Sequence, residues 1–250
     1  LGWAALVALG AAAVQWAGQR LEPTSLLWLA IGLIMLWFGL RPLMPRHYSL
    51  TGRGLNAVIN VRAALSGAFF GAQAFLPLLF TEGRGLPLQW AAWTMTVGSA
   101  GWTLGAWLQS RSWLNLPRNV IITAGAASLT AGIGALALGA WLPGFPAVVL
   151  LAGWVLAGLG MGLATASTSL GVMQLSQTAE LGRNTSSLQV GEALGNSLGA
   201  GLAGTLYLLG GGVLGAAFVF APLLTAMVLV AGAGVLASRR IGHLDNHSTS

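Results

Sequence analysis

A polar stripe in an otherwise apolar segment, residues 186–209, holds the side chains best suited to chemistry. At about 100° per residue of an α-helix, Thr185, Gln189, Glu192 and Asn196 fall within about 60° of one another. A carboxylate deep in a membrane costs several kcal/mol unless it is paired, protonated or facing water. Glu192 is therefore the leading candidate for a proton-binding residue. The stripe faces either an aqueous cavity or a partner helix.

The segment that begins at Leu55 contains a charged partner for Glu192. Arg62, Ser66 and Gln73 share one face of the predicted helix. Arg62 lies about 10 Å from Leu55 and Glu192 about 12 Å from Asn184, so if both helices start at the same membrane surface the two charges can pair at matched depth. Three interpretations stay open: a proton-linked or cavity-lining Glu192, a purely structural ion pair, and a carboxylate near the membrane interface. The alternative for Arg62 is a side chain that extends to the lipid headgroups.

Hydroxyl and indole side chains are further candidates for the wall of a substrate cavity. Thr165 and Thr168 belong to the sequence "ATASTS", whose hydroxyls either line a cavity or bond to carbonyls of their own helix. Trp102 and Trp154 lie deep in their segments and either stack on an apolar or aromatic substrate or pack in the core. The predicted substrate-cavity residues are Gln73, Ser66, Gln189, Asn196, Thr165, Thr168, Trp102 and Trp154.

Glycine is abundant, at 37 residues, and it recurs at four-residue intervals. The predicted helix-packing glycines are Gly191, Gly195, Gly199, Gly158, Gly162, Gly101 and Gly105. Small residues at this spacing let helix backbones approach closely in a membrane. The spacing is equally compatible with static packing and with surfaces that slide past each other.

Sequence motifs give little support for enzymatic chemistry. There is no HExxH or GxxxxGK[ST] pattern, no cysteine and only three histidines, and the one GxSxG match, residues 195–199, falls inside a predicted transmembrane helix rather than at a strand-to-helix turn. The other acidic residues, Glu22, Glu82, Glu180 and Asp245, fall in predicted loops or the tail, so no second carboxylate joins Glu192 inside a membrane segment. We therefore expect no enzyme, no metal site, no cofactor and no ATP-driven pump.

The amino-acid composition indicates whether these segments lie in water or in lipid. Of the 250 residues, 56% are hydrophobic and only 6% are charged, and the mean hydropathy is +0.78. An ordinary soluble domain carries about 25% charged residues. A folded surface with so few charges must face lipid over most of its area, which predicts a polytopic integral membrane protein.

Eight apolar runs are long enough to cross a bilayer, counting about 20 residues for each crossing. They cover about residues 1–19, 24–44, 55–80, 88–109, 119–141, 147–175, 186–209 and 213–238. A backbone in lipid must satisfy its own hydrogen bonds, and the alternating polarity of a barrel is not seen. The predicted fold class is all-α, with eight transmembrane helices.

The eleven basic side chains are all arginines, and their positions predict the orientation of the helices. Arg20 and Arg84 fall on one side of the predicted membrane, and Arg62 lies within a helix. The remaining eight fall on the other side: Arg41, Arg46, Arg53, Arg111, Arg118, Arg183, Arg239 and Arg240. The positive-inside rule then places both termini in the cytoplasm, in a bacterial inner membrane. The arginines form no continuous stripe, which argues against binding of nucleic acid.

From residue 55 onward the sequence resembles the C-terminal six-helix half of a major facilitator superfamily transporter. The resemblance rests on "RAALSGAFFGAQAFLPLLF", "GWVLAGLGMGLATASTS" and "GRNTSSLQVGEALGNSLGAGLAG". The loop "GAWLQSRSWLNLPR" is similar to a worn copy of the superfamily signature Gly-x-x-x-Asp-Arg-x-Gly-Arg. Gly105 and Arg111 are its expected remnants, and Gln109 stands at the acidic position, which weakens the motif's gating role.

The resemblance implies a domain organisation. Residues 1–45 form two helices, either the last pair of an N-terminal half or the extra pair between the halves of a fourteen-helix exporter. Residues 46–54 form a cytoplasmic loop, 55–238 the six-helix transporter half and 239–250 a cytoplasmic tail. The chain begins at Leu1 in an apolar run, which fits either a fragment or an alternative start codon translated literally. On the resemblance, we expect it to be the C-terminal portion of a longer transporter.

The function implied by the resemblance is secondary active transport by alternating access, as proton-coupled export of drugs or small amphipathic metabolites. The third, fourth, sixth and seventh helices then line the cavity, and the fifth and eighth face lipid. The expected partners are the lipid bilayer, the missing N-terminal half, a small-molecule substrate and protons. Protonation of Glu192 would release its pairing with Arg62. The alternative is a non-transporting membrane scaffold or sensor that keeps the fold.

Overall fold

The structure, a computed structural model, describes residues 2–19, 24–111, 113–114, 116–142, 144–213 and 218–244. Predictions that concern Leu1, Arg20, Glu22 and the tail residues 245–250 lie outside these ranges. Within them the chain is helical and contains no strand, which confirms the predicted all-α class. The long helices are α1 (Gly2–Gln19), α2 (Ser25–Leu43), α3 (Leu55–Leu78), α4 (Leu88–Gln109), α5 (Arg118–Trp141), α6 (Ala147–Leu175), α7 (Leu181–Val213) and α8 (Phe220–Ser238).

Five helical stretches of the described chain are long and apolar enough to cross a membrane. They are Ser25–Leu43, Leu55–Gly83, Arg118–Trp141, Ala147–Leu175 and Phe220–Ser238. The described part of α1 is apolar but shorter, and glycines and polar side chains make α4 and α7 less hydrophobic. Several long apolar helices indicate an integral membrane protein, in agreement with the composition. Crossing by α1, α4 and α7 stays a prediction.

Large apolar side chains cover the outer surface of these helices. Leu26 on α2 is 74% exposed and Leu229 on α8 is 70% exposed, and several tryptophans, such as Trp28 and Trp37, are also exposed. A soluble protein rarely leaves so much contiguous apolar area in contact with water. Lipid removes that cost, because the acyl chains are as apolar as the side chains they contact.

The predicted helix boundaries hold for most of the chain and are wrong at four helix ends. Helix α3 stops at Leu78 and continues as one π-helical turn, Leu79–Gly83. Helix α7 begins at Leu181 rather than 186, because a 3₁₀ turn, Thr178–Glu180, leads directly into it. At the other end α7 extends to Val213, the residue at which α8 was predicted to start, and α8 begins only at Phe220. Hydropathy alone does not show that the polar residues at the start of α7 and the glycines at its end belong to the helix.

Helices α3 to α8 pack in a pattern with internal symmetry. The most extensive interfaces pair α3 with α7, α4 with α6, α5 with α6, α5 with α8, and α3 with α8. The pattern is symmetric: if α3 is exchanged with α6, α4 with α7 and α5 with α8, each of these helix pairs becomes another pair of the same set. For example, the α3–α7 pair becomes the α4–α6 pair. Each of these interfaces joins a helix of α3–α5 to a helix of α6–α8, so the two three-helix segments interleave as a pseudo-symmetric pair.

Glycines set the closest of these approaches. A Cβ atom on Gly195 would overlap the carbonyl oxygen of Ala63, and one on Gly199 would overlap that of Gly67. Gly101, Gly105, Gly158 and Gly162 lie in the same way against backbone oxygens across the α4–α6 interface. Gly191 is less crowded, since its Cβ would lie 3.1 Å from Cγ2 of Ile59. The predicted glycines thus lie where the helix backbones touch.

The α1–α2 hairpin attaches to one face of α7 through hydrogen bonds at three levels. Ser187 Oγ donates to the carbonyl of Leu43 (2.6 Å), Gln15 Nε2 donates to Ser197 Oγ (2.7 Å), and Thr205 Oγ1 donates to the carbonyl of Gly18 (2.9 Å). On a helical projection this face lies roughly opposite the stripe that contains Glu192, at about 160°. The hairpin therefore leaves the polar stripe uncovered.

Candidate functional site

An ion pair between Arg62 and Glu192 joins α3 to α7. Nε of Arg62 lies 3.1 Å from Oε2 of Glu192, and the two side chains are 4% and 19% exposed. The pair expected from the sequence is therefore present, and its role in proton binding stays a prediction. The side chain of Arg62 does not extend to the protein surface, so the headgroup alternative does not describe this structure.

Helix α6 supplies the other partners of Arg62. Nη1 donates to the carbonyl oxygen of Thr165 (2.6 Å) and to Oγ1 of Thr168 (2.9 Å), and Nη2 donates to Oγ of Ser169 (3.3 Å). A guanidinium has five N–H donors in a planar fork, so it can bind neighbours on several sides at once. Arg62 uses this geometry to connect α3, α6 and α7.

The hydroxyls of α6 combine both alternatives considered for them. Thr168 Oγ1 donates to the carbonyl of Ala164 (2.7 Å) and Ser169 Oγ donates to that of Thr165 (3.1 Å), one turn back in each case. The same two oxygens accept from Arg62. Oγ1 of Thr165 is buried and has no hydrogen-bond partner in the described part of the chain, so Thr165 contributes only its carbonyl.

The remaining members of the α7 stripe do not join this cluster. Gln189 is exposed, and Asn196 is half-buried, with an Oδ1 atom that has no partner among the described residues. Oε2 of Glu192 is the carboxylate atom that contacts Arg62, and the side chain as a whole is 19% exposed. The structure thus brings Glu192, Arg62, Thr165 and Thr168 together, whereas Gln189 is exposed and Asn196 stays outside the cluster with its Oδ1 atom buried.

A second feature is a cavity of about 310 Å³ between α3, α4 and α6. Its wall contains four aromatic side chains and no ionisable one. The lining residues are Phe69, Phe70, Gln73, Met95, Gly98, Ser99, Trp102, Thr103 and Trp154. Three of the predicted substrate-cavity residues, Gln73, Trp102 and Trp154, therefore share one cavity.

The rings in this wall are packed against one another. Phe69 stacks on Trp154, with centroids 4.6 Å apart and planes 12° apart, and meets Trp102 edge-on at 5.4 Å. Trp154 is 1% exposed and supports the wall from behind, whereas Trp102 is only half-buried. Gln73 Nε2 donates to Sδ of Met95 at 3.5 Å. Offset and edge-on contacts of this kind hold aromatic side chains in fixed positions.

The ion pair and the cavity lie at successive levels of α3. Seven residues separate Arg62 from Phe69, which corresponds to about 10 Å along a helix. Ser66 lies between them, fully buried, and its Oγ has no hydrogen-bond partner within the described residues. Ser66 is not among the lining residues of the aromatic cavity.

The expected remnants of the loop signature do not form one site. Gly105 packs against the backbone of Leu159, and the Arg111 guanidinium lies 4.1 Å from the centroid of Trp107. Gln109, at the acidic position, accepts a hydrogen bond from Nη1 of Arg118 at 2.9 Å. The amide therefore links the end of α4 to the start of α5.

Two polar contacts at the opposite end of α3 were not predicted from the sequence. Tyr207 on α7 donates to Oε2 of Glu82 in the π-helical turn (3.0 Å). Arg84 donates to the carbonyls of Gly139 (2.8 Å) and Phe145 (2.7 Å), at the end of α5 and in the loop that follows. Burial lowers the pKa of the Arg84 guanidinium, which remains a cation as arginines in proteins do. The sequence predicts a loop at Glu82 and Arg84, and no local sequence pattern indicates which distant residues they contact.

Within the described ranges, no group of three or more His, Cys, Asp or Glu side chains could hold a metal ion. No protein-family model and no curated protein matches the chain. The chemistry available to the site is therefore argued from its own residues: a buried ion pair, an aromatic cavity and an uncovered polar stripe.

Proposed function

We propose that this chain forms one half of a secondary active transporter of the major facilitator type, in which Glu192 binds the coupling proton. The observation that carries the proposal is the buried pair of Arg62 and Glu192 between apolar helices. An ionisable residue inside the membrane is expensive and usually serves a function. A buried ion pair also adds little net stability compared with apolar side chains of similar size, so packing alone gives little reason for it.

The packing of the helices supports a transporter. Many secondary transporters are built from repeated helical units, with the substrate site near the middle of the membrane. The exchange symmetry of α3–α5 and α6–α8 fits such a repeat. We propose that the second half comes from the same polypeptide and faces the uncovered side of α7, where Gln189 is exposed, and the surface of α4 on which Ser99 and Thr103 are exposed.

The aromatic cavity is the proposed site for part of the substrate. Its volume of about 310 Å³ lies at the lower end of the range for small-molecule pockets. Aromatic walls with amide and hydroxyl groups and no ionisable side chain favour an amphipathic, aromatic compound. Drugs or small amphipathic metabolites of this kind are the proposed cargo.

Coupling follows from the electrostatics of the ion pair. A proton on Glu192 replaces an ionic hydrogen bond with a weaker one, which changes the relative free energies of inward-facing and outward-facing states. The substrate binds in the aromatic cavity, which lies about 10 Å along α3 from the ion pair. With both termini and most arginines in the cytoplasm, a proton entering from outside would drive export.

The test uses the protein expressed from its complete gene and reconstituted in proteoliposomes. A lipophilic aromatic dye serves as the probe, and its accumulation is followed after the vesicle lumen is made acidic, so that protons leaving the lumen drive dye into it. We expect accumulation by the native protein and by Glu180→Gln, a matched change in the exposed ion pair with Arg183 (2.8 Å), and none by Glu192→Gln. Undiminished accumulation by Glu192→Gln would remove the coupling role. Absence of flux for a broad set of dyes would favour the scaffold or sensor alternative.

A further inference from the structure

Arg62 is bound unequally by its two neighbouring helices. Three of its hydrogen bonds go to α6, at 2.6, 2.9 and 3.3 Å, and one goes to Glu192 on α7, at 3.1 Å. The backbone contacts of Gly195 and Gly199 hold α7 against α3 independently of this bond. Loss of the ionic bond therefore does not by itself separate α3 from α7, and the guanidinium keeps its partners on α6.

The α6 hydroxyls are oriented to accept from a cation. A hydroxyl has one hydrogen to donate, and Thr168 and Ser169 direct theirs toward carbonyls one turn back. Their lone pairs are thereby left for Nη1 and Nη2 of Arg62. The carbonyl of Thr165 adds a third acceptor. This set is neutral, so it can bind the cation whether or not Glu192 carries a charge.

We propose that Thr168 and Ser169 are positioning residues that hold Arg62 on α6 while Glu192 takes up and releases its proton. The inference rests on the proposed function in one respect, that Glu192 binds a proton. When the proton bonds to the carboxylate, Arg62 loses its counter-charge but keeps three acceptors. The buried cation is then not left unsatisfied, which lowers the free-energy cost of protonating Glu192.

The surroundings contain few other groups that could titrate or carry charge. Helix α7 packs against α1, α2, α3, α6, α8 and the 3₁₀ turn Thr178–Glu180, whose Glu180 forms an ion pair with Arg183. In their described ranges α1, α6 and α8 contain no charged residue, α2 contains Arg41, and α7 itself adds Arg183 in its first turn and Tyr207 near its other end. Neither arginine forms an ion pair with Glu192. Among the described residues, Arg62 is therefore the charged side chain that is paired with Glu192.

The experiment is an infrared pH titration, in lipid nanodiscs, of the protein expressed from its complete gene. The Glu192 band is the protonated-carboxyl band that is absent in Glu192→Gln. Thr168→Val removes the hydroxyl at nearly constant volume, so the cation is less well solvated when Glu192 is neutral, and protonation becomes harder. We expect its midpoint to fall by roughly one pH unit, the size of one hydrogen bond to a charged group.

Matched variants separate this role from general loosening of the helix. Thr165→Val makes the same substitution three residues earlier, at a hydroxyl without a hydrogen bond, and should leave the midpoint unchanged. Thr168→Ser keeps the hydroxyl and should restore the native midpoint. In an Arg62→Met background, Thr168→Val should have no effect, because the effect acts through Arg62.

The outcomes distinguish this inference from the function on which it rests. An unchanged midpoint in Thr168→Val, beside a titrating Glu192 band in the native chain, overturns the positioning role and leaves proton binding intact. An equal shift in Thr165→Val also overturns it, since packing would then be the cause. If no band depends on Glu192 at any pH, proton binding itself is refuted.

Discussion

The Nε–H group of Arg62 on α3 donates to Oε2 of Glu192 on α7 over 3.1 Å, and Glu192 is the only acidic residue of either helix. The pair is nearly enclosed, so neither charge has water as a full substitute for its partner. Removing one partner of a buried ion pair is therefore much more costly than removing both.

Asymmetric loss of the pair should destabilise the protein. We expect Arg62→Met to lower the free energy of unfolding by about 3–5 kcal/mol, because Glu192 is left as an unpaired charge. The double variant Arg62→Met/Glu192→Gln should recover most of this loss. Denaturant unfolding of the purified chain in detergent measures both values at neutral pH. Additive effects of the two single changes would show that the side chains do not interact.

Close contact between α3 and α7 should make one glycine position intolerant of a methyl group. A Cβ on Gly199 would overlap the Gly67 carbonyl oxygen, and both atoms belong to backbone that cannot rotate away. We expect Gly199→Ala to cost at least about 1 kcal/mol of unfolding free energy, within the range for overpacking. Gly134→Ala on α5 is the control, since its Cβ would meet nothing within 4 Å and alanine favours a helix by up to about 1 kcal/mol. Similar effects at the two positions would contradict the close approach.

Two tryptophans of the aromatic cavity should separate into a structural and a binding role. Trp154 is almost fully buried against Phe69, so Trp154→Ala should cost about 3–5 kcal/mol of stability. The half-buried Trp102 forms cavity wall, and Trp102→Ala should keep the fold while weakening binding of a lipophilic aromatic dye by up to about tenfold. Fluorescence binding titrations and thermal melts measure the two effects. Trp93→Ala, at a 56% exposed site outside the cavity, should change neither.

Arg84 should stabilise the loop between α5 and α6. Its guanidinium binds the carbonyls of Gly139 and Phe145, which would otherwise be left without donors at a helix end. We expect Arg84→Gln to lower stability by about 1–3 kcal/mol, the value of hydrogen bonds to a charged group. Arg111→Gln is the control, because Arg111 is an exposed arginine that stacks on Trp107 within its own helix end. Equal losses would show that the carbonyl contacts contribute nothing specific.

The sequence predicted the helical class and the cores of the helices because both depend on local composition. Runs of apolar residues determine where a helix can lie in lipid. The pairing of Arg62 with Glu192 was expected from their depths, although α7 begins three residues before Asn184, from which the depth of Glu192 was counted. The ends of the helices were less predictable from the sequence. The polar start of α7 at Leu181 depends on the preceding 3₁₀ turn, and the π-helical turn after Leu78 has no distinctive hydropathy.

Contacts between distant helices were the part that the sequence did not predict. The hydroxyls of Thr168 and Ser169 were expected either to line a cavity or to bond back to their helix, and nothing local showed that Arg62 lies beside them. Gln189 shares a face with Glu192 but remains exposed, because α3 contacts only one edge of that face. Such differences depend on how far each helix is rotated toward its neighbours.

The most direct test of the central claim compares two transport modes of Glu192→Gln in proteoliposomes. Exchange of labelled for unlabelled dye needs no net proton movement, whereas accumulation against a gradient does. If Glu192 is the coupling carboxylate, the variant keeps exchange at a rate near that of the native protein and loses proton-driven accumulation. If the variant accumulates dye as the native protein does, or if a correctly folded variant loses both modes, Glu192 does not couple transport to protons.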